Sequence, residues 1–246
     1  MSNVIRQPLL MTVKAYPSVP YSLALSGQAN KQLAIYSASA INGSGGAANV
    51  GLLRKFNTNK VKAMKYVDIG ATYTDITSSL QAGTNVTVLQ ALNDALFLGS
   101  KDPAGLFAYS VQTAQVGGTF TYNYYNGTSF VTLNTFSNDG FAATGNKNFI
   151  FPSPVDWAQG GDANLDSSMY WVKIISTVAS TTDAVLNGFF GAELLAWQEA
   201  LADNGALEIS SIGESKPLVI DAGEGLLPYF STTNNLNLFK AAYNII

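Results

Sequence analysis

The chain contains neither cysteine nor histidine. Disulfide staples and thiolate nucleophiles are therefore excluded, and so are the usual zinc ligand sets and the Ser-His-Asp and Cys-His catalytic machines. Charge is scarce too: Asp, Glu, Lys and Arg make up 12% of the 246 residues, about half the usual quarter. A surface this poor in charge is expected where much of it faces other subunits. Long apolar runs are also missing. The stretch from Val185 to Trp197 is broken by Asn187, Gly188, Gly191 and Glu193, well short of the ~18 uninterrupted apolar residues that a spanning helix needs. Near the N-terminus, Pro8-Leu9-Leu10-Met11 is too short for the apolar region of a signal peptide. Synthesis and assembly in a cytosol are expected.

What is present is apolar and aromatic: 47% apolar residues, with 13 Phe, 12 Tyr and 3 Trp. That is enough for a sizeable core in one large β domain, or in a domain with attached arms. Period-2 alternation and turn residues place strands near 66–68, 86–89, 95–99, 105–112, 119–125, 129–134, 147–151, 170–177, 183–190, 207–209 and 217–220. A strand pair, 21–25 with 32–37, is expected around Gly27-Gln28-Ala29-Asn30, after an extended arm over residues 1–20 marked by Pro8, Pro17 and Pro20. One short helix is expected over Ala192–Ala202, where Leu194, Trp197 and Leu201 form a stripe and Asn204-Gly205 supplies a stop. The glycine-rich stretch Asn42–Asn49 lacks the Gly-Lys-Ser/Thr ending of a phosphate-binding loop and reads as a surface turn.

The densest signal is Gly118–Ile175. It carries Tyr125-Asn126-Gly127, Phe130, Asp139-Gly140, Gly145, Phe151-Pro152, Asp156-Trp157 and Tyr170-Trp171 in that order. Asn126-Gly127 lies between two alternating runs, the signature of a hairpin with a type I′ turn. This block resembles a β-sandwich domain recurrent in tailed-bacteriophage structural proteins, with Phe130 where Trp is usual and Lys173 where Arg is usual. The resemblance covers about a quarter of the chain. With the strand pair around Leu96–Ser100 and Phe107–Val111 it reaches back to about Lys65. It implies a mainly β fold, a two-sheet antiparallel sandwich of jelly-roll type, here with one short helix and extended terminal arms. The expected parts are a basic arm and strand pair (1–64), the sandwich (65–190), and a helix, strands and apolar tail (191–246).

Charge is laid out in blocks. Residues 1–67 hold eight cations and no acid, residues 68–182 hold three Lys against eight Asp, and residues 183–246 hold two Lys against eight acids. The basic block reads either as a solvated face or as an arm docking on an acidic neighbour. Its one aromatic near Arg54–Lys65 is Phe56, a weak footprint for nucleic acid. Arg54, Lys55, Lys60, Lys62 and Lys65, with Tyr229, Phe230 and Phe239 of the apolar tail, are the candidate partner contacts.

Other constellations have bland and sharp readings. Trp157, Tyr170 and Trp171 could stack on a sugar, but strand alternation sends Tyr170 and Trp171 to opposite faces, which favours core packing. Asp139 and Asp156 could be paired carboxylates for glycoside hydrolysis, yet both sit in turn contexts. Asp162-Ala-Asn164-Leu-Asp166 faintly resembles a calcium loop but lacks the closing Glu. Glu193 and Glu199 are six apart, so on a helix they would not share a face. No cofactor is expected.

The resemblance, the missing catalytic residue types and the segregated charge together lead to one expectation. The chain is a non-enzymatic structural virion protein, a capsid decoration or cement protein that contacts the major capsid protein and neighbouring copies in a symmetric assembly. A tail, baseplate or head–tail component and a carbohydrate-binding module are the alternatives.

Overall fold

The computed structural model describes residues 9–14, 25–26, 31–210, 217–232 and 237–245. In chain order come β1 (Leu9–Lys14), β2 (Leu25–Ser26), β3 (Leu33–Ile41) and β4 (Ala48–Lys55). A single 3₁₀ turn leads to β5 (Val61–Val67), β6 (Thr72–Asp75), helix α1 (Thr77–Gln81), β7 (Val86–Val88), β8 (Ala95–Ser100) and β9 (Leu106–Thr113). Then follow β10 (Val116–Tyr125), β11 (Phe130–Thr132), β12 (Ser137–Asn138), β13 (Gly145–Ile150) and β14 (Tyr170–Thr182). The chain closes with β15 (Ala184–Leu201), β16 (Ala206–Ser210), β17 (Leu218–Ile220), β18 (Gly225–Phe230) and β19 (Leu238–Ile245). Two compact units result: residues 58–193, and the flanks 1–57 and 194–246, which fold with each other rather than as separate pieces.

The 58–193 unit is a two-sheet antiparallel sandwich. One sheet runs β11-β10-β14-β8-β5-β6, and the other is β12-β13-β9-β15 with β7 also on β15. The register aligns Val172 with Leu98 and Ile174 with Leu96. All four are fully buried, because alternation sends them together to the inner face. Rings close the space between the sheets: Tyr122 of β10 meets Phe149 of β13 at 5.1 Å, and Phe120 meets Phe141 at 5.2 Å. Phe107, Phe149 and Phe151 pack on one another on the second sheet.

The β10–β11 hairpin forms where Asn126-Gly127 predicts it, but through different geometry. Only Gly127 is left-handed, at φ 93°. Asn126 instead caps the loop: its Oδ1 accepts the backbone N–H of Thr128 at 3.0 Å and of Ser129 at 2.9 Å. The turn is therefore a longer, side-chain-capped loop and not a two-residue type I′ turn.

In the flanking unit, β3 is central to a sheet ordered β1-β19-β3-β16, with β17 also on β3, while β18 pairs with β4 and β2. Leu33, Ile35, Val50, Leu52, Leu226 and Phe239 form its core. The C-terminal tail is thus a core strand, Leu238–Ile245, aligned with Leu33–Ile41. The loop after β3 is anchored by buried Asn42, whose Nδ2 donates to the carbonyls of Gly46 and Leu201, each at 2.7 Å.

Two expectations fail. The helix over 192–202 is strand: it is the second half of β15, and the only helix among the described residues is α1. Leu195, Ala196 and Leu201 pack on the core, and Trp197 stacks on Tyr229 at 5.6 Å over Gly51. Sheet pairing and burial thus override a helical propensity built from Ala, Leu and Glu. Asn204-Gly205 does end the element, as a turn with Asn204 at φ 61°. The pair of strands at 21–25 and 32–37 is also not a hairpin. Leu25-Ser26 pairs with β18, β3 pairs with β16, β17 and β19, and residues 21–24 lie outside the described ones. Of the arm 1–20, Leu9–Lys14 is a strand on β19 and the rest lies outside the described residues.

Gly99, on β8 opposite Trp171, shows how tightly the sandwich is packed. A Cβ there would meet the indole carbons of Trp171 at 2.6 Å. Gly99→Ala is expected to cost about 1–3 kcal/mol by overpacking, read as a lower urea midpoint with an unchanged slope.

Candidate functional site

The outer face of the six-stranded sheet carries a row of rings, half-buried Tyr66, Tyr73, Phe130 and Tyr125 around fully buried Phe97. Register places Tyr66 opposite Tyr73, Met64 and Lys173 opposite Phe97, and Tyr125 opposite Phe130. Ring centroids step across the strands: Tyr66–Tyr73 at 4.7 Å, Tyr73–Phe97 at 5.9 Å, Phe97–Phe130 at 5.7 Å and Phe130–Tyr125 at 5.5 Å. Successive planes are tilted by 32° to 64°. The row therefore interlocks as packing and offers no flat stacking platform.

A loop from Trp157 to Met169 covers one end of this face. Leu165 and Met169 pack on Ala95, Phe97 and Trp171. Trp171 Nε1 donates to the Asp166 carbonyl at 2.9 Å, and Trp157 Nε1 to the Trp171 carbonyl at 3.3 Å. Charge fixes the same loop. Lys62 Nζ lies 2.6 Å from Asp166 Oδ2, and Ser168 donates through N and Oγ to Asp166 Oδ1 at 3.0 and 2.6 Å. The Lys62 hydrogen bond, with the two from Ser168, holds the Asp166 carboxyl well below the usual carboxylate range. Tyr73 OH donates to Asp162 Oδ2 at 2.9 Å, and burial together with that carboxylate pushes the phenol above its ordinary value. Asp162 and Asp166, the residues of the calcium-like stretch, are thus loop anchors. Among the described residues no three potential ligands gather into a metal site.

Lys173 and Phe130 touch each other. Lys173 Nζ sits 5.5 Å from the ring centroids of both Phe130 and Phe97. The pair sets a cation over ring faces.

The remaining motif residues serve the scaffold. Asp139 Oδ2 accepts Asn148 N at 3.0 Å and Nδ2 at 2.6 Å. Asp156 Oδ1 accepts Tyr124 OH at 2.7 Å, which raises the Tyr124 phenol. Each carboxylate is engaged by its own donors. Gly140 takes positive φ in the loop after β12 and Gly145 at the first residue of β13, at 60° and 96°. Phe151 is buried in front of exposed Pro152, and Trp157 packs between Phe151 and Tyr170 at 5.7 and 5.6 Å. Trp171 is fully buried.

The structure gives the candidate partner contacts roles inside the chain. Lys60 pairs with Asp102 at 3.0 Å and Lys62 with Asp166, while Lys65 donates to Thr87 O and Gln90 Oε1 at 2.8 and 2.7 Å. Lys60, Lys62 and Lys65 are therefore neutralised or held inside their own unit. Arg54 and Lys55 lie on β4, where burial lowers the Lys55 pKa. Tyr229, Phe230 and Phe239 are buried core residues of the flanking unit, because β18 and β19 are interior strands there. Sequence reasoning missed Asp94, a fully buried carboxylate that accepts the N–H groups of Asp68, Gln90 and Ala91 at 2.9, 3.0 and 3.0 Å. Its signal was only an Asn-Asp turn dipeptide.

The Asp166 latch makes a pH prediction. A carboxyl whose native pKa is depressed adds stability above its unfolded pKa, and that stability is lost as pH falls through the native one. The contribution of Asp166 should fade as pH drops below about 4. Asp166→Asn should cost no more than about 1 kcal/mol at neutral pH, since the pair is partly exposed, and should flatten that acid limb in urea titrations.

Comparison with protein-family models, with curated proteins and with solved structures gave no match.

Proposed function

We propose that this chain is a structural protein of a tailed-bacteriophage virion, a decoration or cement protein that contacts the major capsid protein and neighbouring copies. The observation that carries the reading is the use made of the aromatic motif. Asn126 caps a hairpin, Asp139 and Asp156 tie turns, and Phe151, Trp157 and Trp171 fill the sandwich. The motif thus builds a rigid scaffold, as its resemblance to phage structural domains implies. Low charge supports the same reading, since 12% charged residues suits a surface that faces other subunits. The contacts belong to surfaces other than the internally paired lysines and the buried tail.

Mass spectrometry of particles from the host that carries the gene tests this. After gradient purification and separation of heads from tails by shear, the chain should appear in the head fraction in amounts comparable to the major capsid protein. Recovery in the tail fraction would support the tail or baseplate alternative. Recovery only as soluble protein, with none in particles, would overturn the virion reading.

A further inference from the structure

The sequence holds four Asn-Gly dipeptides: Asn42-Gly43, Asn126-Gly127, Asn187-Gly188 and Asn204-Gly205. In such a pair the glycine nitrogen can add to the asparagine Cγ and close a five-membered imide. Glycine favours the step because it has no Cβ to hinder the approach or the backbone swing that closure needs. As linear sequence the four pairs are equivalent. The fold separates them, since the step needs a free glycine N–H and a carboxamide able to lose its nitrogen.

Three are blocked. Asn42 is fully buried, and its Nδ2 donates to the carbonyls of Gly46 and Leu201, each at 2.7 Å. Its Oδ1 accepts Ser44 N at 3.0 Å, and Gly43 N is spent on Asn237 Oδ1 at 2.8 Å. At Asn204 the nucleophile is occupied as well, with Gly205 N donating to Ala202 O at 2.9 Å, and Asn204 Nδ2 donates to Asp203 Oδ2 at 2.8 Å. Asn187 lies inside β15, where Leu186 and Phe189 are in register with Val111 and Tyr109 of β9. Its Oδ1 accepts Gln112 Nε2 at 3.0 Å. Ring closure there would require the strand to leave its sheet.

Asn126 is the open case. Gly127 is exposed, and neither its N–H nor Asn126 Nδ2 donates to an acceptor among the described residues. The nucleophile is free, and the departing nitrogen faces no restraint. Meanwhile Oδ1 accepts Thr128 N and Ser129 N at 3.0 and 2.9 Å. Two N–H donors on that oxygen draw electron density from Cγ, and they are already in place for the negative charge that builds on the oxygen during addition.

We propose that Asn126 is a site of spontaneous modification, converting to aspartate and isoaspartate ahead of the other three Asn-Gly pairs. Gly127 N gives its proton to hydroxide and bonds to Asn126 Cγ. The Cγ–Nδ2 bond then breaks, and the nitrogen takes a proton from water and leaves as ammonia. Water opens the imide at either carbonyl. Attack at Cγ restores the normal backbone with an aspartate side chain, and attack at the main-chain carbonyl leaves isoaspartate, whose backbone runs through Cβ and Cγ. No outside oxidant or reductant takes part, and the hairpin gains a negative charge by either route. Aspartate keeps an oxygen for the Thr128 and Ser129 amides. Isoaspartate lengthens the loop by a methylene and uncaps it beside the Tyr125 and Phe130 pair. This chemistry belongs to the chain itself and does not rest on the virion reading.

Peptide mapping of the full chain, aged at mildly alkaline pH and sampled over time, tests this, with fragmentation that separates isoaspartate from aspartate. Asn126 should convert at least about tenfold faster than Asn42, Asn187 and Asn204, which react only through local opening. In urea strong enough to unfold the chain, the four should convert at similar rates. Asn126→Asp should melt with wild type, since its carboxylate still caps the loop, while the isoaspartate fraction should melt lower. Three results would overturn the proposal. One is an intact Asn126 in the folded chain once the unfolded control has converted. Another is a second Asn-Gly pair that converts as fast in the folded chain. The third is the same lead for Asn126 in urea, which would place the selectivity in sequence neighbours and not in the fold.

Discussion

The indole of Trp171 lies against the backbone of Gly99, and much of the 58–193 unit depends on that contact. Gly99 and Trp171 face each other across β8 and β14, two interior strands of the six-stranded sheet. Only a residue without a Cβ leaves room for the ring. Seated there, the ring spends its N–H on the Asp166 carbonyl, and its own carbonyl receives Trp157. One side chain thus fixes the sheet, the loop that covers it and the aromatic edge packing of Trp157 on Phe151 and Tyr170. The same loop places Asp162 and Asp166 where Tyr73 and Lys62 await them. Those polar contacts follow from the packing, for exposed ion pairs are worth too little to organise a loop alone.

Charge shows how far a linear pattern can mislead. Eight cations precede the first acid in the sequence, which suggests a basic arm seeking an acidic partner. Antiparallel pairing brings β5 beside β8, and acids from the middle block then meet Lys60 and Lys62. Two of the segregated cations thus find acids from the next block within their own unit. A low-charge surface survives that correction, because it follows from composition and not from order.

What was legible in the sequence was what alternation controls. Most strands from Tyr66 to Phe190, the sandwich class and the scaffold roles of Asp139, Asp156 and Trp171 follow from period-2 patterning and turn chemistry, whereas β6, β12 and helix α1 carry no such signal. What was not legible depends on distant partners. Ala192–Ala202 has helical composition and becomes strand because Leu195, Ala196 and Leu201 find a core that sequence position does not announce. Leu25-Ser26 passes over its neighbour β3 to pair with β18, some two hundred residues away in sequence. Asn126 uses its side chain where its backbone was expected to turn. Asp94 is the hardest case, since burial of a carboxylate is decided by three amides from two segments.

That last residue shows what a buried charge demands of the chain around it. A buried carboxylate is costly unless it is fully hydrogen-bonded, and left-handed residues other than glycine cost about 1–3 kcal/mol each. A hairpin tip could avoid both with glycine and polar side chains. This tip instead keeps Ile69 and Leu92 in water, beside backbone that Asp94 ties down. Exposed aliphatic side chains on a mobile loop would lose much of their binding free energy to ordering, whereas rigid ones do not. Part of the return lies in the core, for Leu89, left-handed at φ 55°, is itself fully buried.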